Sequence, residues 1–213
     1  MTSKTSKAKW VAAVAAVVMV GSAQAVSLID RGGGMIYDPD RDITWLQDWN
    51  YAQTSGFDAD GRMFWPTAND WANNLVYGGF SDWRLPTAPC VDEQCTVSEL
   101  GHIFYEHLGG NVFESVLDQT GDTQEEMDNL ALFTNVQSFE YWTGTVYAPD
   151  PSLAWLFNAV DGRQFGLSFL DGEFFAVAVR PGDVAAVVPE VQTYAMLLAG
   201  LGALALVVRR RPV

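Results

Sequence analysis

Lysine is missing from the whole stretch between Val26 and Val187. The positive side chains there are six arginines, set against 25 Asp and Glu, so the stretch carries about −19. Such a surface repels phosphate backbones, which excludes nucleic acid as a partner. Sulfated polysaccharides need clustered Lys and Arg, so they are disfavoured too. Histidine is scarce, with His102 and His107 the only two, and so is cysteine, with Cys90 and Cys95. No Gly-x-Ser-x-Gly, phosphate loop or plausible cysteine nucleophile is present, which removes the common catalytic motifs. No long internal repeat appears either. What is plentiful is aromatic: 25 residues in the same stretch, too many for a chain that avoids a core.

The ends of the chain have a different composition. Lys4, Lys7 and Lys9 precede an apolar run from Trp10 to Val20, and Ala23-Gln24-Ala25 follows. That is the layout of a secretory signal peptide over residues 1–25, its apolar run too short to span a bilayer comfortably. An uncleaved anchor is the alternative. At the other end, Val191 to Val208 holds no charge and runs into Arg209-Arg210-Arg211. Eighteen helical residues reach ~27 Å, about one thin bilayer. The arginines would stay cytoplasmic and the preceding domain would lie outside. A buried helix of the domain is the alternative, against which the terminal arginines and the missing polar face argue.

The order Val188-Pro189-Glu190, apolar helix, arginine cluster resembles the PEP-CTERM sorting signal of Gram-negative bacteria. That resemblance implies an exosortase partner at the inner membrane and cleavage near Pro-Glu. Delivery to the cell surface or medium would follow, often beside exopolysaccharide. Val191 stands where the usual motif has proline.

Outside the cytoplasm Cys90 and Cys95 are expected to oxidise to each other. The closed loop is short, and its entropic gain is ~2 kcal/mol. C-x₄-C alone is a poor metal site and is not the C-x-x-C of redox proteins.

Between the ends, two helices are readable. The first is expected over residues 68–77, started by Thr67 and stopped by Gly78-Gly79. The second is expected over residues 97–108, from a Thr96-Val-Ser-Glu99 capping box to Gly109-Gly110. Residues 111–129 read as an acidic loop with room for a short helix. An opening hairpin joins residues 34–38 to 43–47 through Pro39-Asp-Arg-Asp42. Four runs follow at 141–147, 154–158, 164–169 and 174–180, with Asp161-Gly162 and Asp171-Gly172 as hairpin signals. Strands, two helices and an antiparallel meander predict an α+β fold.

Three separated patches then match one pattern. They are an early Asp-rich turn with Ile43-Thr-Trp-Leu46, a central Trp83-Arg84-Leu85-Pro86-Thr87, and a late Tyr141-Trp142-Thr-Gly-Thr145 closing with Val179-Arg180-Pro181-Gly182. This resembles the Lcl C-terminal domain family, over about Leu28 to Asp183. It implies a single C-type-lectin-like domain over residues 26–187, with residues 188–213 as the sorting segment. Arg84 and Arg180 are each expected to hold a carboxylate bidentately, and Trp142 and Trp155 to fill the core. Residues 88–96, with both cysteines, look like an insertion. The formylglycine-generating relatives keep redox cysteines elsewhere, so that chemistry is not carried over.

His102 and His107 are five apart. On an α-helix that is about 500° of rotation, so they are expected to diverge and not to share a metal. Glu99, His102 and Glu106 read as a solvated face. The hard-ligand candidates are Asp38, Asp40 and Asp42, with Asp58 and Asp60, which place oxygen ligands two apart as calcium loops do. Neither run continues as an EF-hand, and Asp-rich turns are also simply turns. Calcium is therefore the one cofactor considered. Aromatic platforms and carboxylates together point to carbohydrate, neutral or bridged by calcium. The expectation is an exported, non-enzymatic, adhesin-like module whose partner is extracellular polysaccharide. The alternatives are a structural matrix protein without a specific ligand and an enzyme on a lectin-like scaffold.

Overall fold

The computed structural model describes residues 27–90 and 96–184. The fold is α+β, with two antiparallel sheets and short helices between them. The first sheet has the order β1-β2-β3-β7, with β1 at Ile29–Gly32, β2 at Met35–Asp38, β3 at Ile43–Leu46 and β7 at Val179–Pro181. The second is a meander of β4 (Glu140–Val146), β5 (Leu153–Asn158) and β6 (Gln164–Ser168). The helices are α1 (Tyr51–Thr54), α2 (Trp65–Asn73), α3 (Glu99–His102) and α4 (Gln124–Ala131).

Strand alternation explains why β2 and β3 are buried on both faces. Ile36 pairs with Trp45 and Met35 with Leu46, so the two pairs point to opposite sides. On one side Trp45 stacks on Trp49, whose edges meet Tyr141 and Phe133, with Phe104 and Phe157 below. On the other, Met35 and Leu46 join Trp71, Trp83 and Trp142. Trp142 and Trp155 are both buried, as the sequence predicts.

The opening hairpin and the three meander strands lie where the sequence puts them, and Asp161-Gly162 turns β5 into β6. Three expectations are corrected. Residues 174–180 do not form a fourth meander strand: Phe174 and Phe175 bridge to Met63 and Tyr141, and the chain then crosses to pair with β3. Phe175 adds a single parallel bridge to the edge of β4, and the run then leaves the second sheet for the first. The first predicted helix starts earlier, with Pro66 in its opening turn, where a missing N–H costs nothing. It ends at Asn73, and Tyr77 and Phe80 close a tight turn on Gly78-Gly79. The second starts at Glu99, because Ser98, not Thr96, accepts the Gly101 N–H.

The three motif patches meet in space. The backbones of Arg84 and Val179 exchange both hydrogen bonds at 2.8 Å. Gly144 donates to the Pro86 carbonyl at 2.8 Å, and Ala88 N donates to the Thr145 hydroxyl. A Cβ on Gly144 would stand 3.3 Å from Leu85 Cβ, so this approach suits glycine. Trp83 is buried and donates to the Tyr77 carbonyl.

No helix among the described residues is long and apolar enough to cross a membrane. Residues 1–25 and the sorting motif Val188, Pro189, Glu190 and Arg209 to Arg211 lie outside them.

Candidate functional site: a buried polar cluster and an aromatic groove

Helix α3 is anchored by charge. Glu99 accepts from Arg84 Nη1 at 2.7 Å, from Arg84 Nη2 at 2.8 Å and from Thr87 N at 2.6 Å. Glu99 therefore belongs to the motif and not to a solvated face. Arg180 grips Asp82 at 2.9 and 3.0 Å and lies over the Phe80 ring. Both arginines pair bidentately, as the motif implies.

Beyond α3 the helix widens. Residues Ile103–His107 form a π-turn, marked by Leu108 N donating to the Ile103 carbonyl five residues back. This overturns the expected divergence of the histidines. The extra residue per turn brings His102 and His107 to one side, with ring centroids 5.1 Å apart. Five residues turn through about 500° only on a regular α-helix, a geometry the chain does not keep here.

Both imidazoles face the turn between β2 and β3. His107 Nε2 lies 3.5 Å from Asp40 and 3.7 Å from Asp38, and His102 Nε2 lies 4.0 Å from Asp38. One ligand atom from each of the four residues falls within 4.8 Å of all the others. Asp38 is 0% exposed and His107 1%. Asp38 Oδ1 accepts from the Asp40 and Arg41 backbone N–H groups. Asp38 Oδ2, His102 Nε2 and His107 Nε2 are buried and form no hydrogen bond. Burial works to raise the Asp38 carboxyl, but His107, His102 and the Arg41 amide outweigh it and hold it below its usual value. Burial pushes His102 down, towards neutral imidazole.

The other candidate ligands go elsewhere. Asp42 sits at φ 51° and accepts from the Tyr37 hydroxyl at 2.9 Å. Asp58 accepts from the Asp60 and Gly61 backbones, and Asp60 pairs with Arg62. None of Asp42, Asp58 and Asp60 belongs to the four-residue cluster. Cys90 is disulfide-bonded; Cys95, the one other cysteine, lies outside the described residues.

A second feature went unread in the sequence. A groove of about 300 Å³ opens between α1 and α2. Tyr51, Phe57 and Trp71 give its aromatic walls, Asp70, Asn74 and Ser55 its polar groups. Phe57 is 54% exposed, and Tyr51 is braced edge-on against Tyr77 at 5.0 Å. The one available signal was Phe57 itself, a lone large apolar residue between Gly56 and Asp58 in a polar turn.

This geometry defines a closed, non-repeating α+β module whose three motif patches clasp one another. Residues 34–180 match the model of the Lcl C-terminal domain, and the chain belongs to that family. No curated protein and no solved structure matches the chain.

Proposed function

We propose that this chain is an exported, non-catalytic carbohydrate-binding module of the cell surface or extracellular matrix. Residues 1–25 direct its export, and residues 188–213 are a membrane-spanning sorting segment read by an exosortase. Kinship with C-type-lectin-like domains belongs to the same proposal.

The observation that carries the reading is the groove at Tyr51, Phe57 and Trp71. Sugar rings stack their C–H faces on aromatic rings and offer hydroxyls to carboxylates and amides, here Asp70 and Asn74. The arginines support a ligand without sulfate. Among the described residues, five of the six arginines already pair with a carboxylate, at Asp183, Asp60, Glu99, Asp161 and Asp82. The sixth, Arg41, donates to the Thr96 carbonyl.

The test is binding of the purified full chain to the producing cell's own extracellular polysaccharide. Saturable binding, weakened about tenfold or more by Phe57→Ala or Asp70→Ala, supports the reading. Failure of the wild-type chain to bind would favour a structural matrix protein without a specific ligand.

A further inference from the structure

We propose that Asp38, Asp40, His102 and His107 form a binding site for one divalent transition cation of the zinc class, which clamps the β2–β3 turn to the π-turn after α3. This site shares no residue with the groove and does not depend on sugar binding.

Three features of the cluster point the same way. The donor set is two imidazoles and two carboxylates. Imidazole nitrogen suits zinc, iron, nickel and copper, whereas calcium takes six to eight oxygens, which this set cannot supply. The charge also balances, since two carboxylates neutralise a dication and two neutral imidazoles add nothing. The spacing fits as well. Ligand atoms around a tetrahedral zinc stand about 3.3 Å apart, as bonds of ~2.0–2.1 Å require. The separations of 3.5 Å to Asp40, 3.7 Å to Asp38 Oδ1 and 4.0 Å to Asp38 Oδ2 are too long for good hydrogen bonds, and the four ligand atoms, all within 4.8 Å of one another, must draw in by about an ångström to meet one ion.

The buried unbonded atoms are the second, independent observation. Asp38 Oδ2 and His107 Nε2 belong to residues that are 0% and 1% exposed, and both are directed at the cluster with no hydrogen bond. Buried polar atoms without partners are uncommon, and three within one cluster are explained by a shared partner. A π-turn is a local irregularity often found at functional sites. Here it is what brings the second imidazole round to the first.

The experiment is zinc titration of the full chain after treatment with EDTA, by calorimetry and thermal unfolding, with Asp40→Asn and His102→Gln as variants. Both are the partly exposed members of the set, with side chains 25% and 13% accessible. Asp60→Asn serves as the control for nonspecific binding to acidic groups. Expected are one equivalent of zinc, a raised Tm, and affinity lower by about tenfold or more in each cluster variant but not in Asp60→Asn. The metal-free Tm of at least one cluster variant should match that of the wild type. Equal affinity in all variants, absence of saturable binding to the wild type, or zinc displaced by equimolar calcium would overturn the proposal. So would losses confined to variants whose metal-free fold has also collapsed.

Discussion

Two turns of this molecule are built from the same local bonds and end in opposite surroundings. In one, Asp38 Oδ1 accepts from the backbones two and three residues on; in the other, Asp58 Oδ1 does the same. Both repeat Asp-x-Asp, and both are Asx-type turns that the sequence writes locally. The second stays at the surface, where Asp60 folds back onto Arg62 two residues away. In the first, Asp38 itself is buried beneath His102 and His107, which arrive from more than sixty residues downstream. The turn is a local property, and its chemistry is set by what packs over it.

The largest expected effect sharpens that contrast. Asp38→Ala should cost about 3 kcal/mol, because two part-buried backbone donors lose an acceptor whose side chain is wholly buried. Asp58→Ala removes matching bonds, one exposed and one part-buried, at a side chain that water reaches, and should cost about 1 kcal/mol or less. Urea midpoints of both variants in EDTA decide it, and equal losses would break the comparison.

Next is the anchor of the helix that carries the histidines. Arg84→Ala leaves Glu99 largely buried without its guanidinium, and should cost about 2–3 kcal/mol in the same assay.

A smaller effect separates long-range from local ion pairs. The Arg180 guanidinium beside Asp82 holds its carboxyl below the ordinary value of 3.8. A carboxyl depressed on folding adds stability that is full above its unfolded value and is lost as pH falls through the folded one. Asp82 is about half exposed, so Asp82→Asn should cost about 0.5 kcal/mol at neutral pH. The gap should close as the pH is taken below 3.8. Least of all, Asp60→Asn should leave the urea midpoint unchanged, since its partner is two residues away and exposed.

The sequence was most legible where structure is local or repeated by alternation. The opening hairpin, the β5–β6 turn at Asp161-Gly162 and the buried Trp142 and Trp155 all follow from period and turn chemistry. The bidentate roles of Arg84 and Arg180 were legible for another reason: few cations in an acidic chain must each find a carboxylate. It was least legible where long-range packing overrides local rules. Phe174 and Phe175 look like strand residues but serve as a crossing between sheets. Thr96-x-x-Glu99 reads as a capping box, yet Glu99 is taken by Arg84, while Thr123-x-x-Glu126, inside a segment read mainly as loop, forms a real one at the start of α4. The histidine pair was missed because a π-turn leaves no pattern of its own in the spacing of apolar residues.

The groove and the cluster differ in the same way. The groove is open, braced and aromatic, suited to a ligand that comes and goes. The cluster is half-buried, with Asp38 and His107 inside and Asp40 and His102 at its rim, and its convergent donors suit an ion that stays.

The most direct test of the contrast between the two turns is elemental analysis of the full chain, isolated without chelators, alongside Asp40→Asn and Asp60→Asn. About one equivalent of a zinc-class metal is expected in the wild type and in Asp60→Asn, and little in Asp40→Asn. Metal absent from all three, retained in Asp40→Asn, or lost equally from both variants would contradict it.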